Sequence, residues 1–196
     1  MPKVLNVGGN DKSIPLPGFY EGWDHVMLDI DPSTNADVIC DARELGTRPA
    51  AEFDSIHCSH NLEHYFAHDV RRVLTGFAHV LVPEGFVFLR VPDIAQVARA
   101  MATRNLDIDD VLYVSPAGPI LVKDVIYGWG AKIEASGVDF FAHKTGFTIK
   151  SLSGALAVAG FSPVYMGVTD YEIQAFAFKQ PPDAAARARL GLPATD

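Results

Sequence analysis

The chain has 196 residues, 48% of them hydrophobic and 20% charged, which suits a globular domain with one sizeable core. Its formal net charge is −8 and no basic run is longer than Arg71-Arg72, which argues against nucleic acid as a partner. No apolar stretch reaches bilayer-spanning length, no signal-peptide pattern is present, and the two isolated cysteines, Cys40 and Cys58, suit a reducing compartment, so a cytoplasmic protein without a membrane partner is expected.

The first apolar strand, over residues 4–7, runs into Gly8, Gly9 and Asn10. Residues 11–24 contain Pro15, Pro17, Gly18 and Gly22, which disfavour a helix. "HVMLDID" reads as a second strand closing on Asp29 and Asp31, and "ADVICDA" as a third closing on Asp41. "FDSIHCS" is a fourth, ending at Ser59 and His60, and "FVFLRVPD" a fifth, ending at Pro92 and Asp93. These runs are apolar without clean alternation, as in parallel strands buried on both faces.

Val70, Val73, Leu74, Phe77, Val80 and Leu81 recur at helical spacing between the fourth and fifth strands. Asp69 favours the start of that helix, and "PEG" at 83–85 is expected to stop it. Residues 94–147 are rich in Gly, Pro and aromatics, with one helix expected near 94–103; a segment of this length suggests a lid or binding loop. Within it, Tyr127 and Trp129 read by default as lid core. A helix over 151–159 is capped by Gly160, and strands over 163–167 and 172–178 can pair as a hairpin. The expected organisation is one domain over 1–180 with the 94–147 insertion, followed by a peripheral Pro/Ala/Arg tail over 181–196.

In an open parallel sheet, ligands bind outside the carboxyl ends of the strands. Five strand ends in series deliver small or polar groups to that edge here. Glycines permit close backbone approach, a carboxylate after the second strand suits paired ribose hydroxyls, and Asp41 could accept from an exocyclic amine. An adenosine-containing ligand fits these groups. The same edge carries His60-Asn61-Leu62-Glu63-His64, which matches the H-x-x-E-H pattern of inverted zinc peptidases. That site needs both histidines on one helical face, whereas His60 is expected at a strand exit, so no metal site is expected and the match reads as accidental.

"VLNVGGN", "LDIDP", "VICDARELG", "FDSIHCSHNLEHY", "GFAHVLVPEGFVFLRVPD" and "HKTGFTIKSLSGALAVAGF" resemble, in order, the motifs of class I S-adenosylmethionine-dependent methyltransferases. The likeness is to the branch with Leu-Asn-x-Gly-x-Gly and Ser-His-x-Leu-Glu-His motifs. It implies an α/β fold: a Rossmann-like, doubly wound, mostly parallel seven-stranded sheet with a reversed last strand and a lid after the fifth strand. The resemblance places Asn6, Gly8, Gly9 and Asn10 around the methionine end of S-adenosylmethionine. It puts Asp29 on the ribose, Ile30 on the adenine face, Asp41 and Ala42 at the adenine edge, and Ser59 and His60 on the floor between cofactor and acceptor. Asn10 departs from the usual glycine, and the first crossover lacks its helix.

Both departures bear on the choice of ligand. A dinucleotide needs a helix N-terminus and a full G-x-G-x-x-G loop for its pyrophosphate, so a nicotinamide-dependent oxidoreductase ranks below methyl transfer. A methyltransferase-shaped binding module is the competing class. Methyl transfer to a small-molecule acceptor is an in-line displacement that needs alignment and, for some acceptors, a base. His143 is favoured as that base over His60, Asp93, Tyr127 and Lys144; Tyr127, His143 and Lys144 are the expected acceptor contacts. The sequence leaves the acceptor and the oligomeric state open.

Overall fold

A computed structural model describes residues 1–116 and 118–193; residue 117 of the expected lid and residues 194–196 of the expected tail lie outside the described residues. Strands β1 (Lys3–Val7), β2 (Asp24–Asp29), β3 (Val38–Ile39), β4 (Phe53–Ser59), β5 (Leu81–Pro92), β8 (Val164–Thr169) and β9 (Glu172–Phe178) form a seven-stranded sheet in the order β3-β2-β1-β4-β5-β9-β8. The five first strands of that order are mutually parallel, and β9 runs antiparallel to both β5 and β8. The reversed last strand and the terminal hairpin are as expected. Cys40 and Cys58 follow or occupy non-adjacent strands, and both are free.

Helix α1 (Ala67–Val80) buries Val70, Val73, Leu74, Phe77 and Val80, the face that the spacing predicted except for Leu81, which opens β5, with Asp69 in its first turn. It does not end on "PEG". The chain passes from Val80 directly into β5, and Pro83-Glu84-Gly85 lies inside that strand, where the pairing jumps from Phe53–Leu81 to Ser55–Phe86. The extra residues are absorbed as an irregularity near the strand's start, where Pro and Gly are tolerated. Helix α5 (Ile149–Val158) starts at a Thr148 cap, whose Oγ1 accepts from the Ser151 amide at 3.2 Å.

One face of the sheet carries α1 and α5 over the main core, which includes Leu5, Ile56, Leu74, Leu89, Leu152 and Ala175. The other face is covered without a first crossover helix. Residues 11–23 form turns, including the 3₁₀ turn Gly18–Tyr20, and lay Phe19, Tyr20 and Trp23 against Phe86, Phe88 and Phe176. The buried Tyr20 hydroxyl meets Ser55 Oγ at 2.8 Å, and Ser55 Oγ donates onward to the Phe86 carbonyl at 2.9 Å. Aromatic area thus supplies the cover that a helix ordinarily gives. The tail, expected to be peripheral, contributes too: α6 (Ala184–Leu190) buries Leu190 in this second cluster and sets Arg187 over Tyr165 and Arg189 over Trp23.

The insertion after β5 is more ordered than its composition suggests. It contains α2 (Ile94–Arg104), a hairpin of β6 (Val111–Ser115) and β7 (Gly118–Leu121), α3 (Val122–Tyr127) and α4 (Gly130–Ser136). Val97, Ala100, Leu112, Val122 and Val125 give it a small core of its own. Asp93 caps α2, its Oδ1 accepting from the Ala95 amide at 3.0 Å.

Candidate functional site

The parallel strands deliver their carboxyl ends to one edge. Gly8 leaves β1 with a φ of 80° and donates to the Leu28 carbonyl at 2.7 Å. A Cβ on Gly8 would come within 2.5 Å of the Asn61 amide, and one on Gly9 would collide with the Asn6 side chain. The glycines therefore allow the β1 loop to pack against side chains from β1 and from the exit of β4. Asn6 Nδ2 lies 3.2 Å from His25 Nε2, and burial lowers the His25 pKa, so the neutral ring accepts this bond. Asp29 closes β2, its Oδ1 accepting from the Asp31 amide at 2.8 Å; burial raises its carboxyl pKa.

Two cavities flank this edge. The smaller, about 180 Å³, is lined by Ile30, Asp41, Asn61, Tyr65, Phe140 and Lys144, among others. The larger, about 970 Å³, opens between the strand ends and the insertion, with His60, Arg90, Tyr113, Trp129, His143 and Glu172 in its wall. Arg90 of β5 and Glu172 and Gln174 of β9 form a polar ladder on its floor. Glu172 Oε1 accepts from Arg90 Nε and Gln174 Nε2, each at 2.9 Å, while Oε2 meets His60 Nε2 at 2.8 Å. Burial would raise the Glu172 pKa, but these donors hold it down at about 2.

His60 sits at the β4 exit with a φ of 49°. Burial would lower its pKa, yet Glu172 on one side and Glu63 on the other raise it to about 9. His60 is therefore an imidazolium at neutral pH and cannot take a proton. His143 is its opposite. Its Nδ1 donates to the Val125 carbonyl at 2.9 Å, and burial lowers its pKa, leaving Nε2 as a bare lone pair.

No family model matches the sequence, and no curated protein does. Solved structures do match. A SAM-dependent methyltransferase from Archaeoglobus fulgidus is similar with a TM-score of 0.56 and 14% identity, over 90% of this chain and 85% of the other. An S-adenosylmethionine-dependent methyltransferase from Mesorhizobium loti gives 0.54 and 15%, over 89% and 90%. The chain has the class I methyltransferase fold. A third similar structure, the 1,6-didemethyltoxoflavin-N1-methyltransferase of Burkholderia thailandensis with bound 1,6-didemethyltoxoflavin and S-adenosylhomocysteine, gives 0.50 and 17%, over 90% and 70%.

Within that methyltransferase fold, the strand ends bring Asn6, Gly8, Gly9, Asp29 and Ile30 to one edge, with Asn10 exposed beyond them. Several expected residues are placed differently. Ala42 is fully buried in the main core, because Asp41 caps a 3₁₀ helix at Ala42–Thr47 that turns it inward. Asp41 reaches the smaller cavity, but its carboxylate is held by Arg43, through the amide and Nε at 2.9 Å each and Nη2 at 2.6 Å. Ser59 faces neither cavity and is half-buried beside Arg90 in the ladder. Tyr127 is 60% exposed and lines neither cavity, its carbonyl instead accepting from the His143 amide at 3.0 Å. Lys144 lies at the smaller cavity, paired with Asp139 at 3.0 Å and over the Phe66 ring. Trp129, expected as lid core, is 59% exposed and lines the larger cavity.

Sequence reasoning missed Asn61, whose buried Oδ1 has no hydrogen bond among the described residues, and the Arg90–Glu172–Gln174 ladder. A signal for the ladder was present: Glu172 and Gln174 alternate with Ile173 and Ala175, so β9 offers one polar face.

Proposed function

We propose that this protein is an S-adenosylmethionine-dependent methyltransferase that moves a methyl group to a small-molecule acceptor. The observation that carries this reading is the alignment of Gly8-Gly9, Asp29 and His60 at the ends of β1, β2 and β4, beside a cleft of about 970 Å³. In this reading, Asp29 accepts both ribose hydroxyls, Ile30 lies against the adenine, and Asn61 and Tyr65 replace Ala42 at the adenine pocket. Asn6, Gly8, Gly9 and Asn10 surround the methionine portion. Asp41 shapes the pocket through Arg43 and does not itself bind the amine.

The cofactor supplies the methyl group and the sulfonium leaving group when bound. The chain's share is to align the acceptor along the carbon–sulfur axis and exclude water. The cleft's size is that of a small-molecule site, and Tyr113, Tyr171 and Trp129 offer apolar faces beside the charged floor. The similar Burkholderia enzyme is a 1,6-didemethyltoxoflavin-N1-methyltransferase, which supports an acceptor of small-molecule scale. In this reading His143, at the cleft wall with its ring held through Nδ1 by the Val125 carbonyl, is the base for the acceptor.

Calorimetric titration of Asp29→Ala against S-adenosylmethionine tests the cofactor assignment. Loss of a charge-assisted hydrogen-bond pair is expected to weaken binding about 10-fold or more. Unchanged affinity would remove Asp29 from the site.

A further inference from the structure

Methyl transfer as described uses the buried Glu63 only as a partner of His60. Glu63 is 1% exposed, and neither carboxylate oxygen receives a hydrogen bond among the described residues. A carboxylate placed so is costly unless it is paired or holds a cation. Its surroundings are imidazoles. His60 Nδ1 lies 3.5 Å from Oε1 and His143 Nε2 3.9 Å from the same atom. The His64 and His143 rings have centroids 5.0 Å apart, and ligand atoms of Glu63, His64 and His143 all lie within 4.8 Å of one another.

The orientation of His143 decides what belongs between them. Its Nδ1–H goes to the Val125 carbonyl, which aims Nε2 at the carboxylate. The His60 imidazolium at 3.5 Å compensates the Glu63 charge in the present arrangement, and Nε2 of His143, 3.9 Å from the same oxygen, adds a second nitrogen to that side of the carboxylate. A far nitrogen tied to a backbone carbonyl is also how metal-bound histidines are oriented. Backbone bonds hold the two halves of the cluster together: the Lys144 and Thr145 amides donate to the Glu63 carbonyl at 2.8 and 3.2 Å.

We propose that Glu63, His64 and His143 form a binding site for a divalent metal ion of the zinc class. Two imidazoles and one carboxylate are a borderline donor set suited to zinc, and three protein ligands leave a fourth position open. Metal–ligand bonds of about 2.0–2.2 Å bring ligand atoms roughly 3.3 Å apart, so the cluster tightens by about 1 Å on loading. His64 now sets its ring nitrogens against the carbonyls of His60 at 3.1 Å and Ala142 at 3.0 Å, and gives up one of these contacts to bind. The site differs from a zinc peptidase because Leu62–His64 is a single 3₁₀ turn and the insertion supplies the third ligand.

His143 also lines the large cleft, so the open position is reached from the acceptor side and suits an acceptor oxygen. With metal bound, His143 acts through the ion and is no longer a free base. Metal binding itself does not depend on the methyl-transfer reading; only the role of the open position does.

The test uses the full chain, free of any histidine tag and stripped with a chelator. Added Co²⁺ is expected to bind at one per chain with a visible absorption band, to raise the melting temperature, and to be displaced by Zn²⁺. Glu63→Gln and His143→Ala are each expected to weaken Co²⁺ binding about 100-fold, whereas His68→Ala, a solvent-facing change, leaves it intact. No stoichiometric uptake by the wild-type chain, or uptake unaltered in both ligand variants, would overturn the inference and leave Glu63 as a counter-ion. An S-adenosylmethionine titration of the same stripped protein separates failure of this site from failure of the proposed function.

Discussion

Asp29 shows how one residue's surroundings set its use. Burial at the end of β2 raises its carboxyl pKa from the ordinary value, while the Asp31 amide keeps one oxygen oriented. The ionised form accepts ribose hydroxyls better than the neutral acid does. Cofactor affinity is therefore expected to fall on acidification, at a higher pH than an unburied aspartate would give, as Asp29 takes a proton. Calorimetry across pH checks this; in Asp29→Asn the dependence should disappear, and a wild-type profile identical to that of the variant would refute the assignment. His60 carries the contrary lesson. Its strand-end position was readable in the sequence, but its charge was not, because Glu172 approaches from the opposite end of the chain.

At the scale of elements, Glu172 couples β9 to β5 and to the β4 exit. Its folded pKa of about 2 lies below the unfolded value of about 4.3. The stabilisation is therefore fully present above the unfolded value and is lost as pH falls through the folded one. Glu172→Gln is expected to cost roughly 2 kcal/mol at pH 7, with the gap to wild type closing by about pH 2. Denaturant melts at several pH values measure it. Helix α6 supports the aromatic face in a similar way. Ending the chain after Gln180 removes Leu190 and the Arg189 cover of Trp23, and should shift Trp23 fluorescence to the red and lower the melting temperature. An unshifted spectrum would mean that the residues 16–23 cover stands without the tail.

Across the whole molecule, most strands and α1 were legible because each is fixed by a local apolar pattern: β1, β4 and the second half of β5 carry buried apolar runs, and α1 repeats its apolar face. Features made by distant partners were not. The β6–β7 hairpin is short and carries Pro119 and Gly118, and its value comes from packing Leu112 against Val97 of α2. Likewise, nothing near Glu63 in the chain signals its burial, which depends on residues 142–145 folding back over it. The motifs located the strand-end edge; tertiary contacts determined which of its side chains face a cavity. The claim that joins these levels is that this edge binds S-adenosylmethionine. Isothermal titration of the wild-type chain with S-adenosylmethionine and with S-adenosylhomocysteine tests it most directly. The account predicts saturable binding of one molecule per chain with a matching thermal shift; no heat and no shift at roughly millimolar ligand, about 4 kcal/mol of binding free energy, would contradict it.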